Sequence, residues 1–145
     1  MALMSNFSDS TDADWSLAEF EVGELTYWTR WRPQSVIPHP DRPSRIIVKF
    51  IYSTDRADGL PSDETIEELD AVEGVLAREL AEFGADLVLV LTGNSAREFI
   101  AYGPSAEFLD GYGPTILARW AEVGIGRGIE AGNDPNWESF QRFTP

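Results

Sequence analysis

LVLVLTGNSAREFIAY, residues 87–102, is the stretch on which the fold turns. Leu87 to Leu91 is a short apolar run of β-forming residues and reads as a central strand covered on both faces. Thr92-Gly93-Asn94-Ser95 is a hairpin-type turn. Arg97 to Tyr102 is the returning strand, ended by Gly103-Pro104. This hairpin directly follows the best helix in the chain. Ser62 is a natural N-cap, and Asp63 and Glu64 suit the positive end of the helix dipole. Ile66, Leu69, Val72, Leu76, Leu80 and Phe83 form one apolar stripe, and Gly84 is the expected residue beyond the C-terminus. Glu64, Glu67, Glu68, Glu79 and Glu82 occupy the opposite, solvated face.

Further upstream, Ile46, Val48, Phe50 and Tyr52 make one face of a strand. Leu25 to Trp31 alternates as an additional N-terminal strand. Residues 33–44 carry prolines at 33, 38, 40 and 43 and read as an extended loop. Downstream, residues 105–122 are helical in pattern but interrupted by Gly111, Gly113 and Pro114. Ile125 to Ala131 is a last strand, weakened by Gly126 and Gly128. Asp134-Pro135 reads as N-cap and first residue of a short terminal helix, with Trp137, Phe140 and Phe143 on one face. Residues 45–131 thus spell β-α-β-β-α-β. The expected fold is α+β and ferredoxin-like: an antiparallel sheet with two helices on one face, an extra N-terminal strand and a short C-terminal helix. Residues 1–14 are small, polar and acidic and read as a disordered tail, leaving one domain over residues 20–145.

Composition excludes more chemistry than it suggests. Of 145 residues, 43% are hydrophobic, enough for one packed domain. Lys+Arg number 11 against 25 Asp+Glu, a net charge of −14, which opposes nucleic acid and anionic membrane as partners. The absence of cysteine removes disulfides, thiolate metal sites and cysteine nucleophiles. No apolar run approaches the ~20 residues of a membrane span. The first residues carry neither Lys nor Arg nor an apolar core, so no secretory signal and a cytoplasmic location are expected. The charge is segregated: residues 26–56 hold Arg30, Arg32, Arg42, Arg45, Lys49 and Arg56 against two acids, whereas residues 57–86 hold ten acids against Arg78.

Motifs for known chemistries fail in turn. No Gly-Lys pair exists for a phosphate loop, and Gly124-Ile125-Gly126-Arg127-Gly128 has the wrong spacing for a dinucleotide fingerprint. A hydrolase triad would need His39, held between two prolines, and no nucleophile elbow accompanies it. Aligning Gly59 with a calcium loop places Arg56 and Thr65 at ligand positions, which fails. No catalytic residue, cofactor or metal site is therefore assigned. The candidate interaction residues are Trp28, Arg30, Trp31 and Arg32, whose aromatics and arginines interleave, with Glu64, Glu67 and Glu68 of the acidic helix, Arg97 and Trp137.

Asp58-Gly59-Leu60-Pro61-Ser62 before the acidic helix, Gly93 through Arg97-Glu98-Phe99 to Tyr102, and the closing Asp134-Pro135-Asn136-Trp137 with Phe140, Phe143 and Pro145 resemble an uncharacterised bacterial family, domain of unknown function 695. The resemblance covers residues 25–145. It departs at Phe140, where the family usually has Tyr, and in the glycine-interrupted second helix. That family is distantly similar to the regulator of ribonuclease E activity B, which implies a ferredoxin-like fold and an inhibitor that binds a protein. Neither group has known catalytic residues, so none carries over. The leading expectation is a non-catalytic regulatory or inhibitory module binding a protein with a basic surface. The alternative is a ligand-binding protein or enzyme, which a pocket holding Arg30, Arg97 or Arg127 beside an aromatic would favour. A third is a structural module that forms a homodimer through its sheet edges.

Overall fold

The structure, a computed structural model, describes residues 4–9, 15–32, 41–104 and 126–142. Its elements are β1 (Met4–Asp9), β2 (Ser16–Val22), β3 (Leu25–Trp31), β4 (Ser44–Ile51), α1 (Asp63–Glu82), β5 (Asp86–Gly93), β6 (Ala96–Gly103), β7 (Gly126–Asn133) and α2 (Glu138–Arg142). The strands form one seven-stranded sheet in the order β1-β2-β3-β5-β6-β4-β7. Every neighbouring pair is antiparallel.

This corrects the ferredoxin-like expectation of two helices on one face. α1 and α2 lie on opposite faces. Phe99 and Ala101 of β6 join the cluster under α1, with Leu69, Val72, Leu76 and Leu80. Ile100 and Tyr102 join the cluster under α2, with Trp137 and Phe140. Four consecutive apolar residues in one strand need cover on both sides, and a sheet with one open face does not supply it. The sheet is also wider than expected. β3 pairs with β5, which makes β5 the central strand that its apolar run predicts, and β1 and β2 extend the sheet further. Met4–Asp9, inside the segment read as a tail, is β1 and pairs with β2. The helix read over residues 105–122 lies outside the described residues, as does His39. Among the described residues, no helix is long and apolar enough to cross a membrane.

α1 follows its sequence closely. The Ser62 hydroxyl accepts from the Thr65 amide, and Gly84 adopts φ +76°, the left-handed conformation that releases the chain into β5. Glu79 departs from the expected solvated face: it is 8% exposed and sits among the helix's buried residues.

The C-terminal turn is built differently from a simple capped helix. Pro135 is not the first helical residue; α2 begins at Glu138. Asp134 still caps it, its Oδ1 accepting from the Glu138 amide at 2.9 Å and its Oδ2 from the Ser139 amide at 3.1 Å. Trp137 lies between them at φ +53°. Tyr102 Oη donates to Asp134 Oδ2 at 2.6 Å and accepts from the Phe140 amide at 3.3 Å, fastening α2 to β6. Burial pushes the Asp134 carboxyl up, but the bonds from Tyr102, Glu138 and Ser139 outweigh it and hold it below the usual carboxylate range. A depressed native pKa contributes stability above the unfolded value, about 3.9, and that stability is lost as pH falls through the native value. Asp134→Asn should therefore lower the melting temperature at pH 7 and flatten its fall below about pH 4. Calorimetric melting against pH checks this; parallel profiles for the two proteins would refute it.

Candidate functional site

Strand register assembles a site from residues far apart in sequence. Glu19 stands opposite Trp28, Trp28 opposite Thr92, and Thr92 opposite Arg97, a single row across β2, β3, β5 and β6. The next row runs Leu17, Arg30, Val90, Phe99. Both rows lie on the α1 face, because Val90 and Phe99 belong to the α1 cluster. A cavity of about 280 Å³ opens over them, lined by Leu17, Glu19, Trp28, Arg30, Val90, Thr92 and Arg97, among others. That volume lies just under the ~300–1,000 Å³ of drug-sized ligand pockets and suits a smaller molecule.

Arg97 is the unusual member. It is 5% exposed, and a buried guanidinium requires compensation. Its Nε donates to Thr92 Oγ1 at 2.7 Å and its Nη1 to Asp70 Oδ1 at 3.0 Å. Nη2 has no hydrogen-bond partner among the described residues. Burial pulls the Arg97 pKa below its ordinary value, the Asp70 hydrogen bond opposing; the group remains charged. Arg30 is half-buried and pairs through both Nη atoms with the Glu73 carboxylate, the Nη1 bond to Oε2 measuring 2.9 Å. Asp70 and Glu73 are three residues apart on α1, so they share a face and meet both arginines. The Trp28 indole N–H donates to Glu19 Oε1 at 3.2 Å. Arg30 and Arg32 both lie on the Trp15 ring, with Cζ 4.7 and 4.5 Å from its centroid, within cation–π range.

Among the described residues, no group of three His, Cys, Asp or Glu side chains could hold a metal. A larger depression of about 390 Å³ on the opposite face is lined by Phe20, Tyr27 and Leu91 with Lys49, Glu98 and Arg142. It contains no buried charge, which makes it the weaker candidate.

A family model described as a family of unknown function, DUF695, matches residues 9–144. The chain belongs to DUF695. No curated protein and no solved structure matches it.

The residues through which this DUF695 chain resembles its family are mostly structural. Asp58-Gly59-Leu60 locks onto the β5–β6 hairpin: Ser95 N donates to Gly59 O at 3.0 Å and Tyr52 Oη to Gly59 O at 2.7 Å. Burial pushes the Tyr52 hydroxyl up to about 12, so it stays a donor. Of those motif residues, only Arg97 lines the cavity.

The structure divides the candidate residues. Trp28, Arg30 and Arg97 meet in the cavity. Arg32 sits beyond it, its Nε donating to Leu87 O at 3.0 Å. Trp31 and Trp137 are buried in the opposite core, and Glu64, Glu67 and Glu68 are exposed on α1 away from the cavity. The Arg127 side chain lies outside the described residues. Sequence reasoning missed Glu19, Thr92, Asp70 and Glu73 as site residues. Glu19 was accessible in principle, since Ala18, Phe20 and Val22 alternate with Glu19 and Glu21 as a strand. The others acquire their role only from register and helix placement.

Proposed function

We propose that this DUF695 chain is a non-catalytic regulatory module that binds a metabolite-sized ligand through an anionic group on Arg97. The buried Arg97 guanidinium carries the reading: its Nη2 is left over by Thr92 and Asp70 in a residue that lines an open cavity. A convergent charge in a partly apolar cavity is the usual mark of a ligand site. Recognition fits better than catalysis. The lining hydroxyl of Thr92 accepts from Arg97 Nε, a cation that holds its oxygen as an acceptor and takes no proton from it.

The regulatory part of the reading rests on α1. It holds Asp70 and Glu73 against the arginines and also presents exposed Glu64, Glu67 and Glu68 outward. An anion on Arg97 Nη2 shares the guanidinium with Asp70, so ligand binding acts on the helix that a protein partner with a basic surface would meet.

Arg97→Lys tests the site. Lysine keeps a positive charge but loses the guanidinium fork. Titration of a panel of small carboxylates, followed by the Trp28 indole N–H resonance, should show saturable binding that weakens about tenfold or more in Arg97→Lys. A panel that leaves that resonance unmoved, or binds both proteins equally, would refute the reading.

A further inference from the structure

We infer that the ligand of this cavity is an apolar monocarboxylate, one oxygen of which accepts from Arg97 Nη2 and from the Thr92 hydroxyl together, while its hydrocarbon body lies on Leu17, Trp28 and Val90. The inference rests on the cavity being the working site and names what that site takes. Its starting point is the bond from Arg97 to Thr92. Nε–H and one N–H of Nη2 point the same way from one edge of the guanidinium, an edge that fits two oxygens side by side. Thr92 Oγ1 takes the Nε position on that edge at 2.7 Å. The Nη2 position beside it has no occupant among the described residues. An oxygen placed there lies within hydrogen-bonding reach of Thr92 Oγ1. A hydroxyl carries one proton and two lone pairs. Accepting from Nε uses a lone pair and leaves the proton, for which the described residues supply no acceptor. Thr92 is 2% exposed and Arg97 5%, so both are largely withdrawn from bulk water. Two buried donors thus converge on one point, and an anionic oxygen is the partner that satisfies both.

The charges limit the ligand to one such group. Among the described residues, Arg30 is the other cation that lines the cavity, and Glu73 engages both its Nη atoms. Asp70 already takes Arg97 Nη1. A second carboxylate on the ligand would be desolvated with no cation to meet it, inside a chain whose net charge is −14. The rest of the wall suits hydrocarbon. Leu17, Trp28 and Val90 project from one face of the neighbouring strands β2, β3 and β5. Leu17 is 36% exposed, and a hydrocarbon body laid on it removes that surface from water, a gain that a bare carboxylate lacks.

Three probes separate the groups: 4-methylpentanoate; acetate, which lacks the hydrocarbon body; and adipate, which has the same number of carbons but a carboxylate at each end. Dissociation constants are read from the Trp28 indole N–H resonance in the wild type, Thr92→Ser and Thr92→Val. Serine keeps the hydroxyl, valine keeps the shape without it, and melting temperatures verify folding. The wild type is expected to bind 4-methylpentanoate about tenfold or more tightly than acetate or adipate. Thr92→Ser should bind it as the wild type does, and Thr92→Val about tenfold or more weakly, the worth of one hydrogen bond to a charged group. Valine also removes the acceptor of Arg97 Nε, so a crystal structure of the wild-type complex separates donation from positioning. One carboxylate oxygen should lie within hydrogen-bond distance of both Arg97 Nη2 and Thr92 Oγ1. Acetate or adipate binding as tightly as 4-methylpentanoate would overturn the apolar monocarboxylate while leaving Arg97 as an anion site. A carboxylate that touches Arg97 without Thr92, or full affinity in Thr92→Val, would overturn the shared oxygen position. A response to other members of the carboxylate panel with none to these probes would overturn this inference alone. No response to any carboxylate would overturn the cavity reading as well.

Discussion

Trp137→Ala is expected to cost about 3–5 kcal/mol, the usual range for removing a large aromatic from a core. Trp137 is 1% exposed. Its ring stacks on Tyr102 with centroids 4.2 Å apart and meets Phe140 edge-on at 5.7 Å. Its indole N–H donates to Arg42 O at 2.9 Å, so the ring also ties α2 to the chain entering β4. A domain with only about 5–15 kcal/mol of stability loses much of it. The melting temperature should fall by about 10 °C or more. The backbone adds a second, independent test. Trp137 sits at φ +53°, where a side chain costs roughly 1–2 kcal/mol and glycine costs nothing. Trp137→Gly should therefore be no less stable than Trp137→Ala, the reverse of the usual order. An unchanged melting temperature for either variant would mean that Trp137 is not a core residue.

Gly93→Ala is the second large effect, and its cause is a neighbour. Gly93 pairs with Ala96 as the last residue of β5, and the turn itself is Asn94-Ser95, at φ +50° and +63°. Gly93 is therefore not the turn glycine that the sequence suggests. A Cβ at that position would lie 2.3 Å from Tyr27 Cδ1 and 2.8 Å from Cγ and Cε1. The Tyr27 ring lies against the glycine and stacks on Phe20 with centroids 5.1 Å apart. One added methyl must push the ring off that stack. Overpacking of this kind costs about 1–3 kcal/mol. The double variant Gly93→Ala/Tyr27→Ala should be more stable than the sum of the two single losses predicts, because removing the ring removes the clash. Strict additivity in denaturant unfolding would show that Tyr27 is not what excludes the side chain.

What the sequence determined by itself was local. Ser62, the apolar stripe from Leu69 to Leu80 and Gly84 specify α1, because caps and helical period act over a few residues. The apolar run Leu87–Leu91 and the turn residues Thr92-Gly93-Asn94-Ser95 specify the β5–β6 hairpin for the same reason, and the structure narrows the turn to Asn94-Ser95. Phe99, Ile100, Ala101 and Tyr102 in succession also carried the signal for cover on both faces. A one-sided ferredoxin-like layer reads that run as ordinary strand hydrophobicity and misses it. β2 was legible in its alternation, but the acidic residues at its alternate positions made it look like the rest of the N-terminal segment.

The tertiary structure decided the rest. Trp28 and Arg30 against Thr29 and Trp31 is plain alternation, and the sequence shows two faces without saying which is the core. Only the pairing of β3 with β5 sends Trp31 into the apolar core and Trp28 and Arg30 toward α1. Asp70 and Glu73 look like two more acids on a solvated helix until Arg97 and Arg30 arrive beside them. The site is a product of register. Glu19, Trp28, Thr92 and Arg97 become neighbours because their strands pair in one alignment, and a slip of one residue would send each side chain to the other face.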